Sequence, residues 1–107
     1  RSGGRTLVVA QVVEVGPLVI DRRVREVRVD GRVVALTPKE FDLLSYLAND
    51  PGAACGREQI IHDVWDEHWW GSTKTLDVHV ASLRRKLWPE LIETVRSVGY
   101  RLAPEAR

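Results

Sequence analysis

At Thr37 the hydrophobic period of this chain changes, and the change divides it into two kinds of structure. Thr37-Pro38-Lys39-Glu40 has the chemistry of a helix start. The Thr hydroxyl can accept the N–H three residues on, the Glu carboxylate can reach back to the Thr N–H, and Pro suits the first helical position because that N–H would be unsatisfied anyway. Upstream, from Thr6 to Leu36, Val and Ile recur between Arg, Glu and Asp, the composition and spacing of half-buried strands. Strands are expected near Gln11–Val15, Leu18–Asp21, Arg25–Val29 and Arg32–Leu36. Gly16-Pro17 punctuates the first pair, and Asp30-Gly31 is a two-residue hairpin signal. Leu7–Ala10 could join this sheet or remain in a linker. Residues 1–10 are assigned to the tail of an upstream linker, 11–104 to the folded domain and 105–107 to a C-terminal tail.

Downstream of Thr37 the period is helical. Phe41, Leu43, Leu44, Leu47 and Ala48 form one apolar face that ends at Asn49-Asp50-Pro51-Gly52. A second helix is expected over about Arg57–Asp66, burying Ile60, Ile61, Val64 and Trp65. Ser72 can cap a third, over about 73–87, in which Leu76, Val80, Leu83 and Leu87 share a face until Pro89 blocks continuation. A hairpin closes the chain: Ile92–Arg96, a turn through Ser97-Val98-Gly99 with the glycine free to take positive φ, then Tyr100–Ala103. The expected class is α+β: a four-stranded antiparallel sheet, three helices and a C-terminal hairpin.

Composition narrows the function. The 107 residues suffice for one domain, and no apolar run approaches the ~18–20 residues of a membrane helix. Arg1-Ser2-Gly3-Gly4-Arg5 lacks the apolar stretch of a secretory signal, and the missing initiator Met predicts further chain upstream. The single cysteine, Cys55, excludes an intrachain disulfide and reads as a small filler in a reducing, cytoplasmic setting. No nucleophile–base pair, glycine-rich phosphate loop or H-E-x-x-H spacing is present, so neither an enzyme nor a cofactor is expected. His62 and His68, with Asp63, Asp66 and Glu67 nearby, lack both an i, i+4 pair and a cysteine partner, so no metal is expected either.

Helix, loop, helix and an immediate hairpin is the layout of a winged helix-turn-helix, with the third helix as candidate reader of a DNA major groove. If Leu76, Val80, Leu83 and Leu87 face the core, Lys74, Val78, Ala81, Ser82 and Arg85 lie opposite, with Thr75 and Arg84 on the flanks. Cations for phosphates, hydroxyls and methyl groups for base edges suit such a groove, although the same face could be ordinary solvated surface. The formal net charge of only +1 argues against a polyanion, but its distribution does not. Residues 72–103 hold six basic groups against three acidic ones, while residues 1–71 hold nine against eleven. The positive field therefore belongs to the third helix and the hairpin.

Four blocks carry a family resemblance: Leu36-Thr37-Pro38-Lys39-Glu40-Phe41-Asp42-Leu43-Leu44; Arg57-Glu58-Gln59-Ile60 with Val64-Trp65; Lys74-Thr75-Leu76-Asp77-Val78-His79-Val80 with Leu83-Arg84-Arg85-Lys86-Leu87; and Glu93 through Leu102. In this order and spacing the chain resembles the C-terminal DNA-binding effector domain of the OmpR/PhoB family of bacterial response regulators. The resemblance implies the output domain of a two-component phosphorelay, joined to an upstream receiver and served by a sensor kinase. It implies binding of double-stranded DNA at tandem half-sites, dimeric on DNA, with cytoplasmic, nucleoid-associated localisation, while the excess of only +3 over residues 72–103 predicts weak binding by a lone domain. It also implies a groove set of Lys74, Thr75, Val78, His79, Ala81, Ser82, Arg84 and Arg85, and a wing set, over 92–103, of Thr94, Arg96, Tyr100 and Arg101. Arg96 is expected in the minor groove, with pairing to Glu93 as the alternative. Arg101 could point back to the body, and His79 and Tyr100 could serve packing as easily as phosphate.

The loop at 66–71, with Glu67, His68, Trp69 and Trp70, is where relatives contact RNA polymerase or a neighbouring protomer. The alternative function is a protein-interaction module built on those tryptophans. Three departures stand out: Ala81 and Ser82 are short where relatives often carry long base-reading side chains, Ser97 stands where Gly is common, and Trp88-Pro89-Glu90-Leu91 is a short link to the wing.

Overall fold

A computed structural model describes residues 7–8, 11–66 and 71–104. Five antiparallel strands come first, paired in sequence order: β1 (Leu7–Val8), β2 (Val12–Val15), β3 (Leu18–Asp21), β4 (Glu26–Val29) and β5 (Arg32–Val34). The four expected strands are present, Leu18–Asp21 with the expected bounds and the other three shorter at one end. Leu7–Val8 adds a short edge strand, so the sheet reaches back into the segment assigned to the linker. Its inner face is the alternating set Val13, Val15, Leu18, Ile20 and Val27, all buried, as the period of two demands. Asp30 and Gly31 take φ of 53° and 81°, the two positive values that a type I′ hairpin turn requires.

Helix α1 (Pro38–Leu47) starts where the period changes. The Glu40 N–H donates to Thr37 Oγ1 at 3.2 Å and the Thr37 N–H donates to Glu40 Oε1 at 2.9 Å, completing the reciprocal cap. A two-residue strand, β6 (Cys55–Gly56), then leads into α2 (Arg57–Ile60). The helical path continues as a π-wound turn over Ile61–Trp65, closed by the Asp66 N–H donating to the Ile61 carbonyl at 3.1 Å. The expected second helix is thus one segment with its second half wound wider.

Helix α3 (Lys74–Lys86) buries Leu76, Val80 and Leu83, while Leu87 follows at its end only partly covered. Ser72 Oγ accepts the Lys74 N–H at 3.0 Å, capping the helix from one residue outside Thr73. A single 3₁₀ turn, Pro89–Leu91, delivers the chain to β7 (Ile92–Val95) and β8 (Gly99–Leu102). In the second sheet β8 is central, between β7 and β6. One core joins the inner face of the first sheet, the three helical segments, Trp88 and the hairpin residues Ile92, Tyr100 and Leu102. Among the described residues no helix is long and apolar enough to cross a membrane.

The turn of the hairpin corrects one expectation. Positive φ falls on Ser97, at 65°, and not on Gly99. Gly99 is there because β8 passes directly over the start of α2, where a side chain has no room.

Candidate nucleic-acid interface

The exposed side of α3 follows from its helical period. With Leu76, Val80 and Leu83 committed to the core, Lys74, Val78, Ala81 and Arg85 face outward, and Val78 is 64% exposed. The exposed valine and alanine, flanked by cations, fit a surface that meets thymine methyl groups. Val78, Ala81, Ser82 and Arg85 line an open depression whose other wall is Thr37 and Glu40 at the start of α1.

Two groups of polar contacts hold the hairpin against this helix. Arg57, at the start of α2, presents Nη1 and Nη2 to the Asp77 carboxylate on α3, at 2.5 and 3.1 Å. The Tyr100 hydroxyl on β8 donates to the same carboxylate at 2.6 Å. The Arg57 bonds are the main reason the Asp77 carboxyl is held below its usual range, against a smaller opposing effect of burial. At the other end of α3, Arg84 donates to the Ile92 carbonyl at 3.0 and 2.7 Å and to Thr94 Oγ1 at 3.0 Å. Its guanidinium also lies 5.8 Å from the centre of the Tyr100 ring. The angle between helix and wing is therefore set by side chains from α2, α3, β7 and β8 together.

These links sort the residues singled out in the sequence. Tyr100 and Arg84 turn their polar ends to partners inside the fold, and Thr94 is exposed while accepting from Arg84. Arg101 pairs across the hairpin with Glu93 at 2.6 Å and donates to the Gly52 carbonyl at 3.4 Å, so its guanidinium lies against the body of the domain. Arg96 is exposed in the wing turn, unpaired with Glu93. His79 is half-buried, its Nδ1 2.7 Å from the Thr75 carbonyl and its ring edge-on to Trp65 at 5.1 Å. Thr75, also half-buried, lies beside it. Glu67, His68, Trp69 and Trp70 lie outside the described residues, and with them the core of the proposed protein-contact loop.

Of the six basic groups counted on this side, Lys86 is bonded to Glu40 at 2.7 Å, Arg101 to Glu93, and Arg84 to a backbone carbonyl. Among the described residues Lys74, Arg85 and Arg96 are exposed and enter no ion pair. Arg84 keeps its charge but turns it into the fold, so Lys74, Arg85 and Arg96 are the side chains placed to meet a polyanion directly. The residues missed in the sequence are Arg57, Asp77, Glu40 and Lys86. The Glu40 role in the helix cap was visible, but nothing local signals pairing over 20 or 46 positions.

The Tyr100 bond makes a direct prediction. Tyr100→Phe should lower unfolding free energy by about 1–2 kcal/mol, because the ring still packs while Asp77 loses one donor. A denaturation midpoint equal to that of the parent protein would show that the hydroxyl is not held there.

Residues 31–102 match the model of the family described as transcriptional regulatory protein, C terminal. The transcriptional regulatory protein CseB of Streptomyces avermitilis is 44% identical over 91 residues, 85% of this chain, but the match spans only 39% of that longer protein. The DNA-binding domain of Klebsiella pneumoniae RstA, solved in complex with the RstA box, superposes with a TM-score of 0.80 at 33% identity, covering 88% of this chain and 98% of that one. The DNA-binding domain of CpxR from E. coli also gives 0.80, at 31% identity, covering 91% and 100%.

Proposed function

From the premise that this chain belongs to the transcriptional regulatory protein C-terminal family, we propose that it binds double-stranded DNA sequence-specifically and regulates transcription as the output domain of a response regulator. One observation carries the reading: α3 offers an outward face of Lys74, Val78, Ala81 and Arg85 beside a wing whose exposed Arg96 extends the same positive side. In this reading α3 lies in the major groove. Lys74 and Arg85 meet phosphates, Val78 and Ala81 meet thymine methyls, and Arg96 enters the minor groove, where width and negative potential favour a guanidinium. Thr75 and His79 border the phosphate backbone. Arg84, Tyr100, Thr94 and Arg101 act as positioning residues that hold the wing at its working angle.

Three accessible cations predict modest affinity for a lone domain. Occupancy then calls for two copies on tandem half-sites, brought together by an upstream receiver that a sensor kinase phosphorylates. The 66–71 segment, with its paired tryptophans Trp69-Trp70, is assigned to contact with RNA polymerase or a neighbouring protomer on its sequence alone. A cytoplasmic location follows from this function.

Salt titration tests the proposal. With about three phosphates neutralised, the logarithm of the association constant should fall by roughly 2.7 per decade of salt. Arg96→Ala should weaken binding by about 1–3 kcal/mol and relax selectivity at the A·T positions beside the half-site. Binding that ignores salt would instead mark an apolar contact of the Trp69-Trp70 kind and overturn the DNA reading.

A further inference from the structure

The depression between α3 and the start of α1 contains an arrangement that the helical wheel does not foresee. Glu40 is the one buried charged residue among those described, 4% exposed, and its carboxylate collects three donors, one from its own helix cap and two from α3. Oε1 accepts from the Thr37 N–H at 2.9 Å and from Lys86 Nζ at 2.7 Å, while Oε2 accepts from the Ser82 hydroxyl on the groove side of α3. Burial alone would raise the Glu40 carboxyl, but the bonds from Lys86, Ser82 and Thr37 outweigh it and bring it down to about 2. At any physiological pH Glu40 is ionised and can only accept.

A serine hydroxyl has one proton and two lone pairs. The Ser82 proton is committed to Glu40, so what the oxygen presents toward the groove is lone-pair density. Arg85 Nη2 approaches that oxygen at 3.4 Å from the same outward face, as a donor would. Each base shows a different major-groove edge: adenine and cytosine project an exocyclic amino group, whereas guanine and thymine project only acceptors and, for thymine, a methyl.

We infer that Ser82 is a specificity-determining residue that reads DNA as an acceptor only, so that the base it meets in the groove is adenine or cytosine and never guanine or thymine. The inference rests on the DNA-binding reading above and adds a chemical rule to it. In this reading Glu40 does not itself touch the base. It acts as the positioning residue that removes the ambiguity a free serine would have, since a rotating hydroxyl could donate to guanine O6 or thymine O4 as readily as accept.

The test is selection from a random duplex pool by the 107-residue chain, repeated with Ser82→Ala and Glu40→Gln after circular dichroism confirms that each variant is folded. The parent chain should show one half-site position at which amino bases exceed keto bases by roughly three- to tenfold, the discrimination expected of one hydrogen bond. Ser82→Ala should bring that position within about twofold of even and leave the others unchanged. Glu40→Gln, which offers both an oxygen and an amide N–H to the serine, should flatten the same position because the hydroxyl can then turn outward. A preference for guanine or thymine at the position sensitive to Ser82, or no position sensitive to it, overturns the inference. So does an unchanged amino preference in Glu40→Gln. Retention of duplexes with a normal salt slope in those cases leaves DNA binding intact, whereas no retention of any duplex defeats both readings.

Discussion

Gly99→Ala will lower the thermal midpoint of this domain by roughly 10–20 °C. A Cβ at Gly99 would lie 2.1 Å from the Cys55 carbonyl oxygen, 3.0 Å from the Arg57 nitrogen and 3.1 Å from the Gly56 carbonyl carbon. All three are backbone atoms, so no side chain can swing aside and the strand itself must move. That movement breaks the pairing of Gly56 with Gly99 and of Cys55 with Tyr100, and the Arg57 N–H bond to the Val98 carbonyl at 3.2 Å. A cost of about 3 kcal/mol is a large share of the ~5–15 kcal/mol that holds a domain of this size together. The Tyr100–Asp77 bond sits one residue away, so the wing should also lose its fixed angle to α3 and DNA affinity should fall with stability. Differential scanning calorimetry decides the matter: a midpoint within 2–3 °C of the parent, on the order of 0.5 kcal/mol, would mean that β8 does not lie against β6 as described.

Glu40→Gln should cost about 3 kcal/mol at neutral pH, with a pH signature that an uncharged structural role cannot imitate. The carboxyl titrates near its ordinary 4.5 in the unfolded chain and at about 2 in the fold. Its folded value is depressed, so the stabilisation is complete above the unfolded value and is lost as pH falls toward the folded one. Because the side chain is only 5% exposed, solvent screening takes little from the difference. The gap between parent and variant should therefore narrow from about 3 kcal/mol at pH 7 to about 1 kcal/mol at pH 3. Urea denaturation of both proteins from pH 3 to 7 measures it directly, and other carboxylates cancel in the comparison. A gap that stays constant across this range would sink the assignment of the buried charge to Glu40. Glutamine keeps the reach needed for the helix cap, so the loss reports the bonds to Lys86 and Ser82.

Much of the architecture was legible because its signals are local. The Val-Ile alternation, the Asp30-Gly31 turn, the Thr37–Glu40 cap and the spacing of Leu76, Val80 and Leu83 each act within a few residues. What misled was also local. A glycine in the wing turn suggested positive φ there, but Ser97 takes that conformation while Gly99 answers a crowding by Cys55 and Arg57, which lie more than 40 positions away in sequence. The π-wound turn at Ile61–Trp65 left no mark either, since its apolar residues satisfy a helical stripe of either winding.

The candidate site divides along the same line. Sequence by itself determined which face of α3 turns outward and that positive charge gathers on α3 and the wing, because both follow from periodicity and from counting. Only the tertiary structure decided how those charges are used. Packing brings Glu40 to Lys86 and Ser82, Asp77 to Arg57 and Tyr100, and Arg84 to the Ile92 carbonyl, so these groups are spent on holding the wing and the helix in place. Lys74, Arg85 and Arg96 remain for a polyanion. The physical reason is range: a helix cap or an apolar stripe is set by neighbours one turn away, whereas a hydrogen bond between elements exists only once the core has brought them within about 3 Å.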